Sequence, residues 1–366
     1  MFKIKSYFFL LLISLVILSC EGLKNSAINI FETSERAKYE RSFSGADMLL
    51  NSWKNAYANA KNTTLQIEDG FSVTAKKDSS DVYAFSYMLE LKRGDLLTVE
   101  TEPANQSKIF VDVFENGLQQ ESQSKLLENG KFTSFIKNTG KYTVIIQPEI
   151  SYQGSFPVKI YTQPSLSFPV AGKGNRDIQS FWGANRDGGA RSHEGVDIFA
   201  KRGTPVVAAV DGRVSRTGNS GLGGKQVWLR DGLLGNSLYY AHLDSIMVES
   251  GTSVKIGDTL GTVGNTGNAE GGAHHLHFGI YSVGGAVDPY PYIRKRTEPD
   301  FKKVTFDSKK NIKSGSNLRL GPGTDFPVAA TISEQTSAKI LAGNGEWFHV
   351  RLESGEEAFI SSGRLD

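Results

Sequence analysis

The sequence has very little cysteine, no marked excess of charge of one sign and no long apolar run. Cys20 is the only cysteine among 366 residues, so one chain cannot form an internal disulfide. The 41 Lys and Arg residues face 39 Asp and Glu residues. Because the charge is balanced, the chain lacks the basic footprint typical of proteins that bind nucleic acid. No apolar run reaches the about 20 residues that a membrane-spanning helix needs.

The residues that are present favour a folded, strand-rich protein. Hydrophobic residues make up 39% of the chain and charged residues 22%, which argues against intrinsic disorder. At about 100–200 residues per domain, the length predicts two or three domains. The 39 glycines, 21 phenylalanines and 13 tyrosines favour short strands joined by turns. We therefore predict a mostly β fold.

The N-terminus is typical of an export signal. Two lysines precede Phe8 to Leu18, an eleven-residue run that is apolar except for one serine. A signal-peptide core has about 7–15 such residues. The segment ends in Ile17-Leu18-Ser19-Cys20, which resembles the lipobox of bacterial lipoproteins. The resemblance implies a signal peptide at 1–19, lipidation of Cys20 and a lipid anchor in a membrane of the cell envelope. The alternative is ordinary cleavage that leaves a free thiol.

Residues 20–65 are predicted to form a tether followed by one helix. Glu21 to Gly45 is mostly polar and has no periodicity. Within Ala46 to Asn62, large apolar residues recur at helical spacing, which predicts one amphipathic helix. These residues are Met48, Leu49, Trp53 and Tyr57.

Residues 66–165 change to short β-type runs separated by turns such as Arg93-Gly94-Asp95. Regular short strands of this kind predict a β-sandwich. The order of runs and turns is similar to that of bacterial jelly-roll domains appended to secreted peptidases. That resemblance implies a spacer or a glycan-binding domain and carries no site. The runs are Val82–Tyr87, Leu96–Val99, Ile109–Val113, Tyr142–Ile146 and Val158–Tyr161.

Histidines are concentrated in one part of the chain. Five of the six lie within one 85-residue window, and imidazole is the commonest metal ligand. Histidines scattered through several cores would not cluster in this way. Three patterns contain them: His193-Glu194-Gly195-Val196-Asp197, Tyr240-Ala241-His242-Leu243 and His275-Leu276-His277-Phe278.

The third pattern also carries geometric information. The β-type residues continue beyond it, so His275 and His277 are predicted to lie on one strand and to point to the same face. With His193 and Asp197 they offer the nitrogen and oxygen ligands that zinc takes in tetrahedral sites. A structural zinc site would need four protein ligands and would usually use cysteine, which this region lacks. An open catalytic site is therefore favoured.

Together the patterns resemble the lysostaphin/LytM-type zinc endopeptidases of peptidoglycan. H-E-G-V-D, Y-A-H-L, G-N-T-G and H-L-H-F follow in that family's order, and V-D-P closes the region. The flanking Phe168-Pro169-Val170 and Gly203-Thr204-Pro205-Val206 agree with it. The resemblance covers about residues 168–292. It implies an antiparallel β-sheet peptidase domain at 166–297, which binds one Zn²⁺ and hydrolyses peptide cross-links or stem peptides of bacterial peptidoglycan.

The resemblance also implies a role for each residue. His193, Asp197 and His277 fall on the family's zinc ligands, and His242 and His275 fall on two histidines that act in catalysis without binding metal. Which of these two is the general base stays open. Because no position is missing, we expect an active enzyme. The alternative is a non-enzymatic regulator of the same fold that binds the wall and activates another hydrolase.

Two further features stand near the motifs. Gly218 to Lys225 resembles a phosphate-binding loop only superficially, because Gln226 stands where that loop needs serine or threonine. We expect a hairpin loop that forms a wall of the substrate groove. Arg186 and Arg191 precede the first motif, and either could contact a carboxylate of a peptide stem or be an ordinary surface residue, so neither is assigned a role.

The C-terminal part, residues 304–366, resembles a bacterial SH3-like domain, a small β-barrel. Asn317 to Gly323 and Glu346 to Arg351 carry the likeness, but Ala358-Phe359-Ile360 stands where the family commonly has Gly-Trp-Val. The resemblance implies a module that holds cell-wall peptides near the enzyme. Arg294 to Asp300 is predicted to be a solvated connector. His349 is predicted to be a structural strand residue.

Overall fold

The computed structural model describes residues 34–43, 48–78, 82–102, 107–115, 123–127, 130–232 and 235–366. The proposed signal peptide and Cys20 lie outside these ranges. Within them the prediction of a mostly β fold is confirmed, and the ladders between strands are antiparallel. No helix in the described ranges has the length and apolarity needed to cross a membrane.

Two helices precede the strands, α1 (Glu35–Arg41) and α2 (Met48–Ala60). The prediction of an aperiodic tether up to Gly45 is wrong where α1 forms. Ser34 caps this helix, and its buried Arg36 pairs with the buried Asp112 of the sandwich. The guanidinium also lies 3.9 Å from the ring centroid of Tyr57. Arg36 is a charged residue that is buried here by its ion pair, so the sequence of polar and apolar residues does not predict that this segment is attached to the sandwich.

Helix α2 matches the helix that the spacing predicts. Trp53 is fully buried against Phe110, and its indole N–H donates to the carbonyl of Pro148 over 2.9 Å. Both helices are therefore fixed to the outer face of the sandwich.

Eight strands form the sandwich. One layer has the order β1-β8-β3-β6 and the other β2-β7-β4-β5, and their facing apolar side chains form one core. Its strands are β1 (Phe71–Lys77), β2 (Phe85–Leu91), β3 (Asp95–Thr101), β4 (Ile109–Glu115), β5 (Gln123–Leu126), β6 (Lys131–Phe135), β7 (Gly140–Pro148) and β8 (Gly154–Pro164).

The central domain follows with its own core. Its largest sheet has the order β18-β14-β15-β16-β20-β12-β9 with β21 on β20, and β13-β19-β17 form a second sheet. Its elements are β9 (Ile178–Ser180), β10 (Asn185–Arg186), β11 (Arg191–Ser192), β12 (Val196–Phe199), β13 (Pro205–Val207), β14 (Gly212–Asn219), β15 (Lys225–Asp231), β16 (Ser237–Ala241), β17 (Leu243–Ile246), β18 (Ser253–Val254), β19 (Thr259–Val263), β20 (His275–Ser282), β21 (Gly285–Val287) and α3 (Tyr290–Ile293).

The chain enters and leaves the central domain at one place. The backbone N–H of Leu166 donates to the carbonyl of Tyr292 over 2.9 Å, and both residues belong to the central core. The ring of Tyr292 also packs against the sandwich, at Gly94 and Phe135. A side chain at position 94 would collide with that ring.

The C-terminal domain continues the first layer of the sandwich. Its strand β25 pairs with β1 through Thr74–Gly343 and Ala75–Ala342, so the two domains share one ten-stranded sheet. Leu341 and Phe359 enter the sandwich core. The strands are β22 (Lys309–Ile312), β23 (Ser316–Arg319), β24 (Val328–Ile332), β25 (Thr336–Gly343), β26 (Trp347–Leu352) and β27 (Glu357–Ser361).

The connector at residues 294–300 is exposed at five of its seven positions, as predicted, but it is also fixed to the sandwich. The Arg296 side chain is mostly buried, and its guanidinium donates to Asp95 over 2.8 Å. Glu298 pairs with the buried Lys159, and backbone groups of Lys302 and Val304 bond to the Thr74 hydroxyl. The charges of the segment neutralise partners on the sandwich, so it lies along that surface.

Candidate metal centre and active-site cleft

Two neighbouring strands bring the candidate ligands together. Asp197 of β12 lies directly opposite His277 of β20 in the antiparallel register. His193 lies on the turn that leads into β12, where Gly195 makes the close approach possible. A side chain at position 195 would lie 2.6 Å from the His277 ring. Leu276 and Phe278 face the core, as the alternation predicts.

The three ligand atoms form an equilateral triangle. His193 Nε2, Asp197 Oδ1 and His277 Nδ1 are each 3.0 Å from the other two. Among the residues that the structure describes, these three are the group of His, Cys, Asp or Glu side chains placed closely enough to hold one metal ion. Atoms at this spacing can all lie about 2.0–2.2 Å from one ion, which is the bond length zinc takes with nitrogen and oxygen.

The protons available do not satisfy this triangle. His193 Nδ1 faces the carbonyl of Phe181 at 2.9 Å. A carbonyl only accepts, so in the neutral form of this ring Nδ1 carries the proton and Nε2 the lone pair. Burial lowers the pKa of His277, which keeps its ring neutral with one proton. With both rings neutral, at most one proton is shared by the three adjacent acceptors. A cation satisfies such a group where hydrogen bonds cannot.

The carboxylate of Asp197 stays ionised. Burial acts to raise its pKa, but the adjacent His193 and His277 side chains outweigh burial and hold the pKa well below its ordinary range. One carboxylate and two neutral imidazoles are a ligand set that suits Zn²⁺. The residues present therefore fit this metal.

Arg186 holds the other oxygen of the same carboxylate. Its Nη2 donates to Asp197 Oδ2 over 2.6 Å and to the Ser180 hydroxyl over 2.7 Å. Oδ1 is then the oxygen directed at the two histidines. The sequence offered no signal for this role, because Arg186 reaches the carboxylate from the separate strand β10.

His242 lies where the chain passes from β16 to β17, that is, from one sheet to the other. In the described part of the chain, His242 is the one non-glycine residue with a positive φ, 61°. This backbone conformation is strained for most side chains. The backbone N–H donates to the carbonyl of Gly223 over 2.8 Å. The bend turns the ring towards the ligand triangle, with 5.9 Å between the His242 and His277 ring centroids.

His242 is neutral and has a free acceptor nitrogen. Burial lowers the pKa of His242 to about 4 and outweighs the hydrogen bond to the Thr266 carbonyl, which acts to raise it. Nδ1 lies 2.8 Å from the carbonyl of Thr266, so Nδ1 carries the proton and Nε2 a lone pair. The side chain can therefore accept a proton at Nε2.

His275 lies beside His242 and outside the triangle. Its Nε2 is 3.9 Å from Asp197 Oδ1, and its Nδ1 is 2.8 Å from the carbonyl of Ala273. The ring stacks on Phe199 at 5.1 Å and lies 5.0 Å from the ring of His242. The structure thus brings all five predicted residues together, three within hydrogen-bond distance of one another and two beside them.

All five line one cleft of about 790 Å³. Trp228, Tyr239 and Tyr281 form one wall, with ring centroids 4.3 and 5.2 Å from that of Trp228. The hairpin loop between β14 and β15 supplies Leu222 and Gly223, as predicted for a groove wall. The aromatic residues were missed, because strand residues of this type are ordinarily core residues.

Comparison with known proteins matches two parts of the chain to known families. Residues 191–289 match peptidase family M23, and residues 314–366 match the bacterial SH3 domain. A region of 150 residues is 34% identical to the L-Ala–D-Glu endopeptidase of Bacillus subtilis (strain 168), covering 37% of this chain and 45% of that protein. A region of 191 residues is 29% identical to the murein hydrolase activator NlpD of Salmonella dublin, covering 50% of this chain and 45% of that protein.

The catalytic domain of lysostaphin from Staphylococcus simulans is 33% identical. The match covers 32% of this chain and 92% of that domain, with a TM-score of 0.29. The chain spans less than half the length of the two curated relatives. The expected resemblance is confirmed at the level of domains: the chain contains a domain of peptidase family M23, followed by a bacterial SH3 domain.

Proposed function

We propose that this chain is a zinc-dependent endopeptidase that hydrolyses peptide bonds in bacterial peptidoglycan. The observation that carries the proposal is the triangle of His193, Asp197 and His277, which presents three acceptor atoms with at most one proton. His242 and His275 stand beside it in an open cleft of about 790 Å³. Related proteins named as endopeptidases support the assignment of the reaction.

Each side chain then has a definite task. A zinc ion held by His193, Asp197 and His277 would supply a Lewis acid and a water of lowered pKa. His242 accepts a proton at Nε2, which its hydrogen bond to Thr266 leaves free. In His275, Nδ1 faces the carbonyl of Ala273, so Nε2 is the nitrogen left for contact with substrate or water. Arg186 fixes the rotation of the Asp197 carboxylate.

The second candidate is a regulator that binds peptidoglycan without cutting it. The relative named as a murein hydrolase activator favours it. The complete donor set favours the enzyme, because a pure binding role does not require two neutral imidazoles and a carboxylate to converge.

Metal analysis and peptidoglycan digestion test both candidates. The purified full chain should contain about one zinc ion and release soluble muropeptides from sacculi, and a chelator should abolish the release. The cleaved bond follows from the masses of the products. A folded protein that binds no zinc overturns the metal assignment. A zinc-loaded protein that releases nothing, yet accelerates a separate wall hydrolase, supports the regulator.

We further propose that Cys20 carries the lipid anchor. The support is the sequence Ile17-Leu18-Ser19-Cys20 at the end of an export-signal core. The variant Cys20→Ala should move from the membrane fraction to the soluble envelope fraction. Retention of this variant in the membrane would contradict the proposal and leave the peptidase assignment untouched.

A further inference from the structure

A second cleft lies where helix α2, the sandwich and the C-terminal domain meet. It has a volume of about 530 Å³, within the about 300–1,000 Å³ typical of small-ligand sites. It shares no lining residue with the cleft of the metal centre. Helix α2 forms one wall, and the hairpin of β26 and β27 forms the opposite wall. The floor consists of residues 82–86 together with Ala56 of the helix.

The helical wall presents a row of side-chain amides. Asn55 and Asn59 lie one turn apart on α2, and Asn62 follows in the turn after it. All three asparagines are exposed to solvent, and no side chain in the described ranges bonds to their amides, so they are available to a ligand. Each amide offers one acceptor oxygen and two donor hydrogens. The wall can therefore give and receive several hydrogen bonds along one line.

The floor is apolar and made of small side chains. Ala56, Ala84 and Val82 line it, and the buried Ser86 is already bonded to the carbonyl of Ala60 over 2.6 Å. Small apolar groups of a ligand can pack here without leaving a buried polar atom unsatisfied.

The opposite wall carries charges that cancel. The Arg351 guanidinium donates twice to Glu357 Oε1, and Glu357 Oε2 lies 3.0 Å from His349 Nε2. A phosphate or carboxylate ligand would have to break this pair to find a cation. The cleft therefore suits a neutral ligand with many polar groups.

We propose that this cleft binds an N-acetylated oligosaccharide. Sugar hydroxyls and the acetamido group both donate and accept, which complements the amides of Asn55, Asn59 and Asn62. The acetyl methyl fits the floor of Ala56, Ala84 and Val82. Binding here needs no peptide hydrolysis, so the inference is independent of the proposed peptidase activity.

Titration calorimetry on the full chain tests the proposal. Tetra-N-acetylchitotetraose should bind with a saturable isotherm. Cellotetraose, which has hydroxyls in place of the acetamido groups, should bind at least about tenfold more weakly, a difference of about 1.4 kcal/mol. The double variant Asn55→Ala/Asn59→Ala should weaken binding of the N-acetylated probe by a similar factor. Alanine has the higher helix propensity, so this variant keeps α2.

The matched control is Asn51→Ala, an exposed asparagine of α2 outside the cleft lining, which should bind like the wild type. The proposal is overturned if the wild type binds neither sugar at millimolar concentration, or if the double variant binds normally. It is also overturned if both sugars bind equally, or if a sugar-free stem peptide depends on Asn55 and Asn59 instead. Muropeptide release is scored separately, so failure of the peptidase would not imitate any of these results.

Discussion

The described part of the chain contains two buried clusters of histidine and carboxylate side chains, and they differ in how many hydrogen-bond donors face their acceptors. At the junction of the sandwich and the C-terminal domain, the fully buried His349 lies 3.1 Å from the hydroxyl of Tyr87 and 3.0 Å from Glu357 Oε2. Tyr87 can donate to Nδ1 while Nε2–H donates to the carboxylate, so each acceptor faces a donor. In the triangle of His193, Asp197 and His277, acceptors face acceptors. The two clusters are similar in burial and in residue type. What distinguishes the structural cluster from the candidate metal site is the number of protons available for hydrogen bonds.

The largest expected effect is that of His277→Ala. Removing one corner of the triangle removes a ligand, so zinc occupancy and muropeptide release should fall together to background. Zinc stoichiometry measured beside product release checks this. His274→Ala, which changes a neighbour outside the cleft lining, should leave both unchanged. Full zinc occupancy in His277→Ala would end the assignment of His277 as a ligand.

A smaller effect on activity is expected for His242→Ala. The triangle stays complete, so zinc should remain while hydrolysis falls by about 10²–10⁴, the usual contribution of general acid–base catalysis. The same two measurements apply. If this variant lost zinc as completely as His277→Ala, the division between ligand and proton acceptor would be wrong. If it kept full activity, His242 would be a structural residue only.

The structural cluster should respond in stability and not in metal binding. His349→Ala removes a buried ring and leaves the buried Tyr87 hydroxyl without its partner, so the free energy of unfolding should fall by about 2–4 kcal/mol. Urea unfolding of the apoprotein measures this change, and zinc stoichiometry of the folded protein should not alter. A loss of zinc in His349→Ala would show that the two clusters are coupled.

Arg186→Ala sharpens the comparison within the metal centre. Losing the group that orients a ligating carboxylate typically weakens metal binding by about 10–100-fold, so competition with a chelator should report a zinc affinity lower by that factor. Arg202→Ala is the matched control, since the exposed Arg202 pairs with Asp244, which is not a candidate ligand. Equal zinc affinities in the two variants would show that Arg186 does not contribute to metal binding.

The smallest effect concerns pH. Burial acts to raise the pKa of Glu357, but His349 and Arg351 outweigh burial and hold the pKa at about 2. Because this pKa is depressed on folding, the ionised carboxylate stabilises the fold above about pH 4.5, and that stability is lost as the pH falls towards 2. Glu357→Gln should cost about 1–2 kcal/mol at pH 7, and the difference from wild type should vanish near pH 2. The exposed Glu356→Gln should show no such convergence.

The sequence predicts the local parts of this molecule better than the long-range ones. Alternation along β20 predicts that His275 and His277 share a face, and helical spacing predicts α2. The pairing of Asp197 with His277 depends on strand register, which no local pattern contains. Strand β1 and its partner β25 were likewise not foreseen as one sheet, because Thr74 and Gly343 are about 270 residues apart. Arg186 was missed for the same reason.

The adjacency of Leu166 and Tyr292 makes the central domain topologically an insertion. Its two ends are joined by one backbone hydrogen bond of 2.9 Å, while the segments before and after it complete a single ten-stranded sheet. During synthesis, β1 must therefore wait for β25, which emerges only after the whole central domain. The C-terminal domain therefore completes a sheet that begins before the central domain. An architecture of this kind lets one insert be exchanged for another without redesign of the scaffold that carries it.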